Sequence, residues 1–262
     1  MIRAAIFDID ETLFDMRTKQ FVPSAVEGLR RLEERGVLVI LATGRPPHSA
    51  IAIAEEGIVP DYTICSNGHL TLDRQGKIIE ENSFDEALAE EIFSYCREHK
   101  IGLLWKYPDK VYEYIHADIF EVFYQKSEAT RKNLVTGRTD IHRYREPNGG
   151  NLGCSLQELE HFNRAFYKRC IGVPIDEASS DLMIWGVNKM SAAEALMKKL
   201  AISGEECIAF GDNLNDLEML EYAKVGVCMG NGSPKLKEKA DYVTDRIEEN
   251  GVWNALKHFE LI

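Results

Sequence analysis

The chain has 262 residues, more than one domain usually holds and ample for a sizeable core. Its 31 basic residues against 43 acidic ones give a net charge of −12, which argues against a general nucleic-acid binder, because that function needs a basic footprint. Hydrophobic residues at 45% and charged residues at 28% exclude a disordered chain and fit a globular one.

An anionic substrate stays open, since a local cationic pocket or a bound metal reverses the field inside a cleft. Cys65, Cys96, Cys154, Cys170, Cys207 and Cys228 are scattered, with no C-x-x-C pair. They read as reduced core residues rather than a zinc site or a disulfide framework. No run approaches the ~18 apolar residues of a membrane span, and no charged-then-apolar leader precedes the first strand. The expected location is cytoplasmic, with neither membrane nor nucleic acid as partner.

In chain order, the apolar run Ile2–Ile9 reads as a strand. Pro23 and Ser24 then open a helix with Val26, Leu29 and Leu32 at helical spacing. Gly36 ends it, and "VLVILA" (Val37–Ala42) follows as a wholly apolar strand, the mark of a parallel strand covered on both faces. The prolines of "TGRPP" begin another helix, and "YTICS" (Tyr62–Ser66) is a third strand. This βαβαβ order implies a doubly wound α/β sheet with its ligand site at the carboxyl ends of the strands.

From Asn67 to about Glu81 the pattern turns to short pieces broken by Asn67-Gly68 and Gln75-Gly76, which are hairpin signals. A helix at Phe84–His99, strands near Ile101–Trp105 and Val111–Ile115, another helix and a loop with "EPNGGN" come next. The helix "QELEHFNRAFYKRC" leads to "CIGVPI" and "DLMIWGV". This mixed stretch predicts an inserted α+β domain over roughly 83–184, between core segments 1–82 and 185–262. After Asn188 the first pattern resumes: a helix over 189–200, the strand "CIAFGD", a helix around Leu214–Tyr222, "KVGVCMG", "YVT" and a last helix near 250–259.

Four stretches carry candidate chemistry. In "FDIDETL" the strand ends in Asp8, Asp10 and Glu11, with Asp8 and Asp10 alternating onto one side. Either the acids are solvated or something compensates their repulsion. The second strand ends in Thr43-Gly44-Arg45, a plain turn or a cradle for phosphate oxygens at a helix start. Lys189 opens a helix, where the helix dipole slightly disfavours a cation. In "AFGDNLNDLEML", Gly211 permits a tight turn, and Asp212, Asn213, Asn215 and Asp216 precede a helix; taken alone, a capped loop explains them as well.

Taken together, the four resemble the haloacid dehalogenase-like hydrolase superfamily. Its DxDxT motif matches Asp8, Asp10 and Thr12, its second motif Thr43, its third Lys189, and its GDxxND motif Gly211, Asp212, Asn215 and Asp216. "TGRP", "SNG", "GDNLNDLEML", "VGVCMGNG" and "ADYVT" resemble the Cof-like branch (subfamily IIB), whose type-2 cap is inserted where the α+β block sits. The likeness covers essentially the whole chain. It departs at Glu11, where the family usually has Gly, and at Met190, often Gly.

The resemblance implies a Rossmann-like core and a Mg²⁺-dependent phosphatase acting on a small phosphorylated metabolite, a sugar phosphate foremost. Asp8 would be the nucleophile and Asp10 the acid–base. The metal would be held by Asp8, the main-chain carbonyl of Asp10, and Asp212. Thr43, Gly44, Arg45, Lys189 and Asn215 would meet the substrate, with Asn213 and Asp216 in support, and Asp216 and Asn215 would orient Lys189 and the phosphate or metal waters. A phosphomutase, or a signalling domain with a long-lived phospho-Asp8, are the rival readings. Within the insert, 125–145 carries Lys126, Arg131, Lys132, Arg138, Arg143 and Arg145 against Glu128 and Asp140. Together with His142 and Tyr144, this segment is either a leaving-group contact or a solvated face.

Overall fold

The opening apolar run becomes β1 (Ala4–Phe7), buried at every position. The computed structural model describes residues 1–50, 57–120 and 132–262. A ribbon of β2 (Phe14–Asp15) and β3 (Gln20–Phe21) follows, closed by Phe14 edge-on to Phe21 at 5.0 Å. Pro23 takes the first position of α1 (Pro23–Glu34), where its missing N–H costs nothing. Next come β4 (Leu38–Ala42), α2 (Pro47–Ala50), β5 (Tyr62–Cys65), β6 (Leu70–Asp73) and β7 (Ile78–Glu81). The middle of the chain supplies α3 (Glu86–His99), β8 (Gly102–Lys106), β9 (Val111–Ile115), β10 (Leu134–Val135), β11 (Gly150–Gly153), α4 (Leu156–Ala165), β12 (Cys170–Pro174) and β13 (Ser179–Ile184). The last part adds α5 (Lys189–Lys199), β14 (Cys207–Gly211), α6 (Leu217–Tyr222), β15 (Val225–Cys228), α7 (Pro234–Lys237), β16 (Tyr242–Val243) and α8 (Gly251–His258).

Eight strands form one sheet in the order β16-β15-β14-β1-β4-β5-β6-β7. The pairs from β16 to β5 are parallel, and β6 returns antiparallel to β5. The chain leaves β1 toward β4 on one side and comes back to β14 on the other, so β1 marks the switch point where such sheets bind ligands. Ala5, Phe7, Val39, Leu41, Ile208 and Phe210 pack with α1 and α8 on one face. Ala4, Ile6, Ile40, Ala42 and Ala209 pack with Ala193, Leu196 and Met197 of α5 on the other. Cover on both faces is why these strands lack a polar alternation.

The described residues group into two compact units: Met1–Thr43, Ile51–Ile79 and Asn188–Ile262 in one, Gly44–Ala50 and Glu80–Val187 in the other. The first unit is thus drawn from three stretches rather than the two expected. Gly44–Ala50 joins the second, where the His48 N–H donates to the Pro108 carbonyl at 3.3 Å.

The second unit is built on a six-stranded sheet, β10-β9-β8-β11-β13-β12. One of its two central strands, β11, begins in the last two residues of "EPNGGN", which the sequence suggests is a loop. Gly149, at φ 128, keeps a turn conformation, while Gly150 and Gly153 in the strand serve packing. A Cβ on Gly150 would stand 2.6 Å from the Leu104 carbonyl oxygen, and one on Gly153 would stand 2.8 Å from the Ala117 Cβ. Leu103, Trp105, Leu152, Phe162 and Leu182 fill this unit's own core. Among the described residues, no helix is long and apolar enough to cross a membrane.

Candidate active site

Pairing register brings the site's carriers to one edge of the first unit's sheet. Phe7 lies level with Phe210 on one side and Leu41 on the other, and the Asp8 N–H continues the ladder to the Phe210 carbonyl at 2.9 Å. Asp8 therefore stands one residue past the paired region and is 5% exposed. Thr43 ends β4 in the same way, buried, with its N–H on the Ile64 carbonyl at 2.8 Å.

Lys189 opens α5 behind the Asn188 cap, whose side chain accepts from the Ser191 N–H at 2.8 Å. The Lys189 side chain is buried rather than solvated. Its Nζ donates to Asp8 Oδ1 at 2.5 Å and to Asp216 Oδ1 at 2.7 Å. Asp216 Oδ2 in turn accepts from the main-chain N–H groups of Asp212 (3.1 Å) and Asn213 (3.2 Å). Both oxygens of Asp216 are thus committed to holding the ammonium and the turn.

Gly211 has a use other than the tight turn expected of it. It is the last residue of β14, and a Cβ there would stand 2.5 Å from the Asp216 Cβ. The missing side chain is the room that the Asp216 carboxylate occupies. Asn213 caps the turn Leu214–Asp216 and is exposed; Asn215 is exposed too and stands outside the Lys189 network. Asp10 is half-buried in a one-residue bridge with Phe14. Gly44 and Arg45 group with the second unit.

Burial pushes the Asp8 carboxyl up to about 7, against the pull of Lys189 and with Asp216 and Asp10 adding repulsion. Burial likewise pushes Asp212 up to about 8, reinforced by Asp8 and Asp216. Burial works against the Lys189 charge, but Asp216 and Asp8 more than offset it and its pKa rises. One carboxylate oxygen each from Asp8, Asp212 and Asp216 lies within 4.8 Å of the others. With Asp216 committed, Asp8 and Asp212 remain as desolvated, mutually repelling hard-oxygen donors. That donor set fits a divalent cation such as Mg²⁺, which takes one or two carboxylates and favours their ionised forms.

The basic segment is largely met inside the second unit. Arg143 and the buried His142 ring both bind Glu90 at 2.8 Å, Arg145 binds Asp109 at 2.9 Å, and Arg138 binds Asp140 at 2.9 Å. The His142 Nδ1 also lies 2.9 Å from the Tyr114 hydroxyl, so this ring is interior scaffold, not the surface expected of it. Tyr144 is exposed, and Lys126, Glu128 and Arg131 lie outside the described residues.

Sequence reasoning passed over Asn231. Its side-chain amide donates to the Glu11 carbonyl at 2.8 Å and accepts from the Ile247 N–H at 2.9 Å. Glu11 sits at φ 61, the left-handed region where a glycine fits without strain. Its carboxylate turns to the Met16 N–H at 3.2 Å and adds a small repulsion on Asp212. A left-handed non-glycine residue costs ~1–2 kcal/mol, and glycine gives back ~0.5–1 in chain entropy. Glu11→Gly is therefore expected to raise the melting temperature by roughly 1–4 °C, a net gain of ~0.5–1 kcal/mol. A melting curve at or below that of the parent would show that the Met16 and Asn231 contacts already cancel the strain.

The chain is similar to several known proteins over nearly their whole length. The HMP-PP phosphatase of Serratia proteamaculans (strain 568) is 28% identical over 271 residues, 99% of this chain and 96% of its own. The pyridoxal phosphate phosphatase YbhA of Escherichia coli (strain K12) is 27% identical over 254 residues, 92% of each chain. The solved structure of the subclass IIB sugar phosphatase BT4131 superposes with a TM-score of 0.87 at 23% identity, covering 99% of this chain and all of that one, which establishes the shared fold. The family model for haloacid dehalogenase-like hydrolases matches residues 5–256, and the chain belongs to that superfamily, in its Cof-like branch.

Proposed function

We propose that the protein is a Mg²⁺-dependent phosphatase that hydrolyses a small phosphorylated metabolite, a sugar phosphate foremost, through an aspartyl-phosphate at Asp8. The observation that carries this reading is the buried Lys189 ammonium gripped by Asp8 and Asp216, with Asp212 beside them. Two of the relatives described above are named for phosphatase activity on small phosphorylated compounds, which supports the substrate class.

Asp8, the Asp10 main-chain carbonyl and Asp212 would hold Mg²⁺, which supplies positive charge to the two carboxylates and to phosphoryl oxygens. A carboxylate oxygen of Asp8 attacks phosphorus as the bond to the leaving oxygen breaks, and Asp10 gives its proton to that oxygen. Asp10 then takes a proton from water, whose oxygen attacks the same phosphorus; the Asp8–phosphorus bond breaks and inorganic phosphate leaves. Splitting the displacement in two is the gain of covalent catalysis, and the acid–base help is worth ~10²–10⁴ in rate. Thr43 and Lys189 hold phosphoryl oxygens, Gly44, Arg45 and Asn215 add substrate contacts, and Asn213 and Asp216 keep the loop and the lysine in place.

The phosphoryl site does not distinguish leaving groups, so the second unit, the cap, reads them and excludes water. Six free, buried cysteines fit a reducing compartment, the cytoplasm.

A panel of phosphorylated metabolites assayed with Mg²⁺ and ranked by kcat/KM tests this. Free phosphate is the expected product. An isomeric sugar phosphate without phosphate release would make the protein a mutase, and a long-lived phospho-Asp8 without turnover would make it a signalling domain. Chelation by EDTA is expected to stop the reaction and Mg²⁺ to restore it. Full activity after thorough metal removal would refute the roles given to Asp8 and Asp212.

A further inference from the structure

The turn after β5, Ser66-Asn67-Gly68, has three consecutive residues in the left-handed region, at φ 49, 53 and 100. Only one of them is glycine, and such strain persists where the surroundings over-determine it, often at functional sites. Two attachments tie this turn to the active site. The Asn67 N–H donates to the Thr43 carbonyl at 2.9 Å, and the Thr43 N–H is held by β5 through Ile64. On its other side Gly68 abuts the first turn of α5. A Cβ there would collide with the Asn188 carbonyl oxygen, 2.6 Å from its carbonyl carbon and 3.3 Å from the Ala192 Cβ.

That carbonyl accepts the first bond of the helix, from the Ala192 N–H at 3.2 Å, and the next residue is Lys189. The obstacle is main chain, so a side chain at 68 cannot be absorbed by a rotamer change. The Ser66 hydroxyl is buried in the same turn without a hydrogen-bond partner, so the turn is not kept for that side chain's own bonding.

We infer that Ser66–Gly68 is a positioning device that sets the distance between Thr43 and Lys189, so that both reach one phosphoryl group. The inference rests on the phosphatase reading above. It makes Gly68 a positioning residue that acts through the Lys189 Nζ. A misplacement of 1 Å can cost ~10²-fold in rate, which is the scale of effect expected.

The test compares Gly68→Ala with Gly36→Ala. Gly36 also has a positive φ, 75, but a Cβ there meets nothing within 4 Å, so its replacement reports backbone strain alone. Gly68→Ala is expected to lower kcat about 100-fold with KM nearly unchanged, the mark of an interaction made in the transition state. Gly36→Ala should lower the melting temperature and leave kcat as it was. In a Lys189→Ala background, Gly68→Ala should have almost no further effect on kcat. The Lys189 Nζ resonance in a ¹⁵N-lysine spectrum should move in Gly68→Ala and not in Gly36→Ala. Ser66→Gly, which removes strain and adds no atoms, guards against a variant that does not fold. It should melt no lower than the parent yet turn over several-fold more slowly.

Parent-like kcat in both turn variants, or full additivity with Lys189→Ala, overturns the inference while leaving the phosphatase intact. If the parent releases phosphate from no metabolite, the function reading fails, and the Nζ resonance alone decides the positioning: an unmoved signal in Gly68→Ala overturns it.

Discussion

Replacing Asp8 with Asn is expected to lower kcat by roughly 10⁴-fold or more, the scale seen when a nucleophile that works with partners is removed. Size and shape are kept, so the main-chain bond to Phe210 and the packing of β1 are untouched. Lys189 keeps Asp216 as its counter-ion, and the variant sheds a carboxyl that burial had pushed up to about 7. Its melting temperature should therefore match or exceed that of the parent. Mass spectrometry of the parent quenched in acid during turnover should show a phosphoryl adduct on Asp8, absent from the variant. Residual activity within tenfold of the parent would sink the covalent mechanism.

The second large effect is expected at Asp212, where activity and stability should move in opposite directions. Its carboxyl sits at about 8 in the folded state against 3.8 ordinarily, so the folded protein binds this proton more tightly than the unfolded chain. For a raised carboxyl, stability falls as pH rises from the unfolded value through the folded one. Metal-free protein should thus be less stable at pH 9 than at pH 6, through this group and through Asp8. Asp212→Asn removes one repelling charge. In EDTA at pH 9 it should melt higher than the parent, by about 2–4 °C for each kcal/mol of relief. Mg²⁺ should raise the melting temperature of the parent, by mass action on the folded state, and leave the variant nearly unmoved. Phosphatase activity should be lost. A variant that melts lower in EDTA, or that keeps its response to Mg²⁺, would show that Asp212 is not one of the carboxylates facing the cation.

The parts legible in the sequence were those whose physics is local. The strands that became β1 and β4 announced themselves because cover on both faces removes polar alternation. The site's residue types were legible for the same reason: acids, a hydroxyl and a lysine each stood at a strand end or a helix start. The resemblance implies that Asp216 orients Lys189, but the rest of their partnership is not legible in the sequence. That Lys189 spans Asp8 and Asp216, and that Asp216 occupies the space Gly211 leaves, depends on contacts between distant stretches. The start of β11 reads as a loop because glycine signals turns, whereas Gly150 clears room for the Leu104 carbonyl. The β2–β3 ribbon went unseen because two-residue strands have no period. His142 reads as a surface group because its neighbours in the chain are charged, but its ring points inward to Tyr114 and Glu90.

The sheet order has a consequence for synthesis. Strand β1 is made well before one of its partners: Ala4 pairs with Cys207 of β14 on one side and with Leu38 of the nearer β4 on the other. At translation rates of about 5–20 residues per second, one edge of this fully apolar strand waits roughly 10–40 s for its neighbour. The cap sequence emerges in that interval with a hydrophobic core of its own. An unpaired apolar edge is a template for association with another chain. The nascent protein is therefore most exposed to aggregation between emergence of β1 and arrival of β14, a window set by the length of chain inserted between them rather than by the stability of the finished fold.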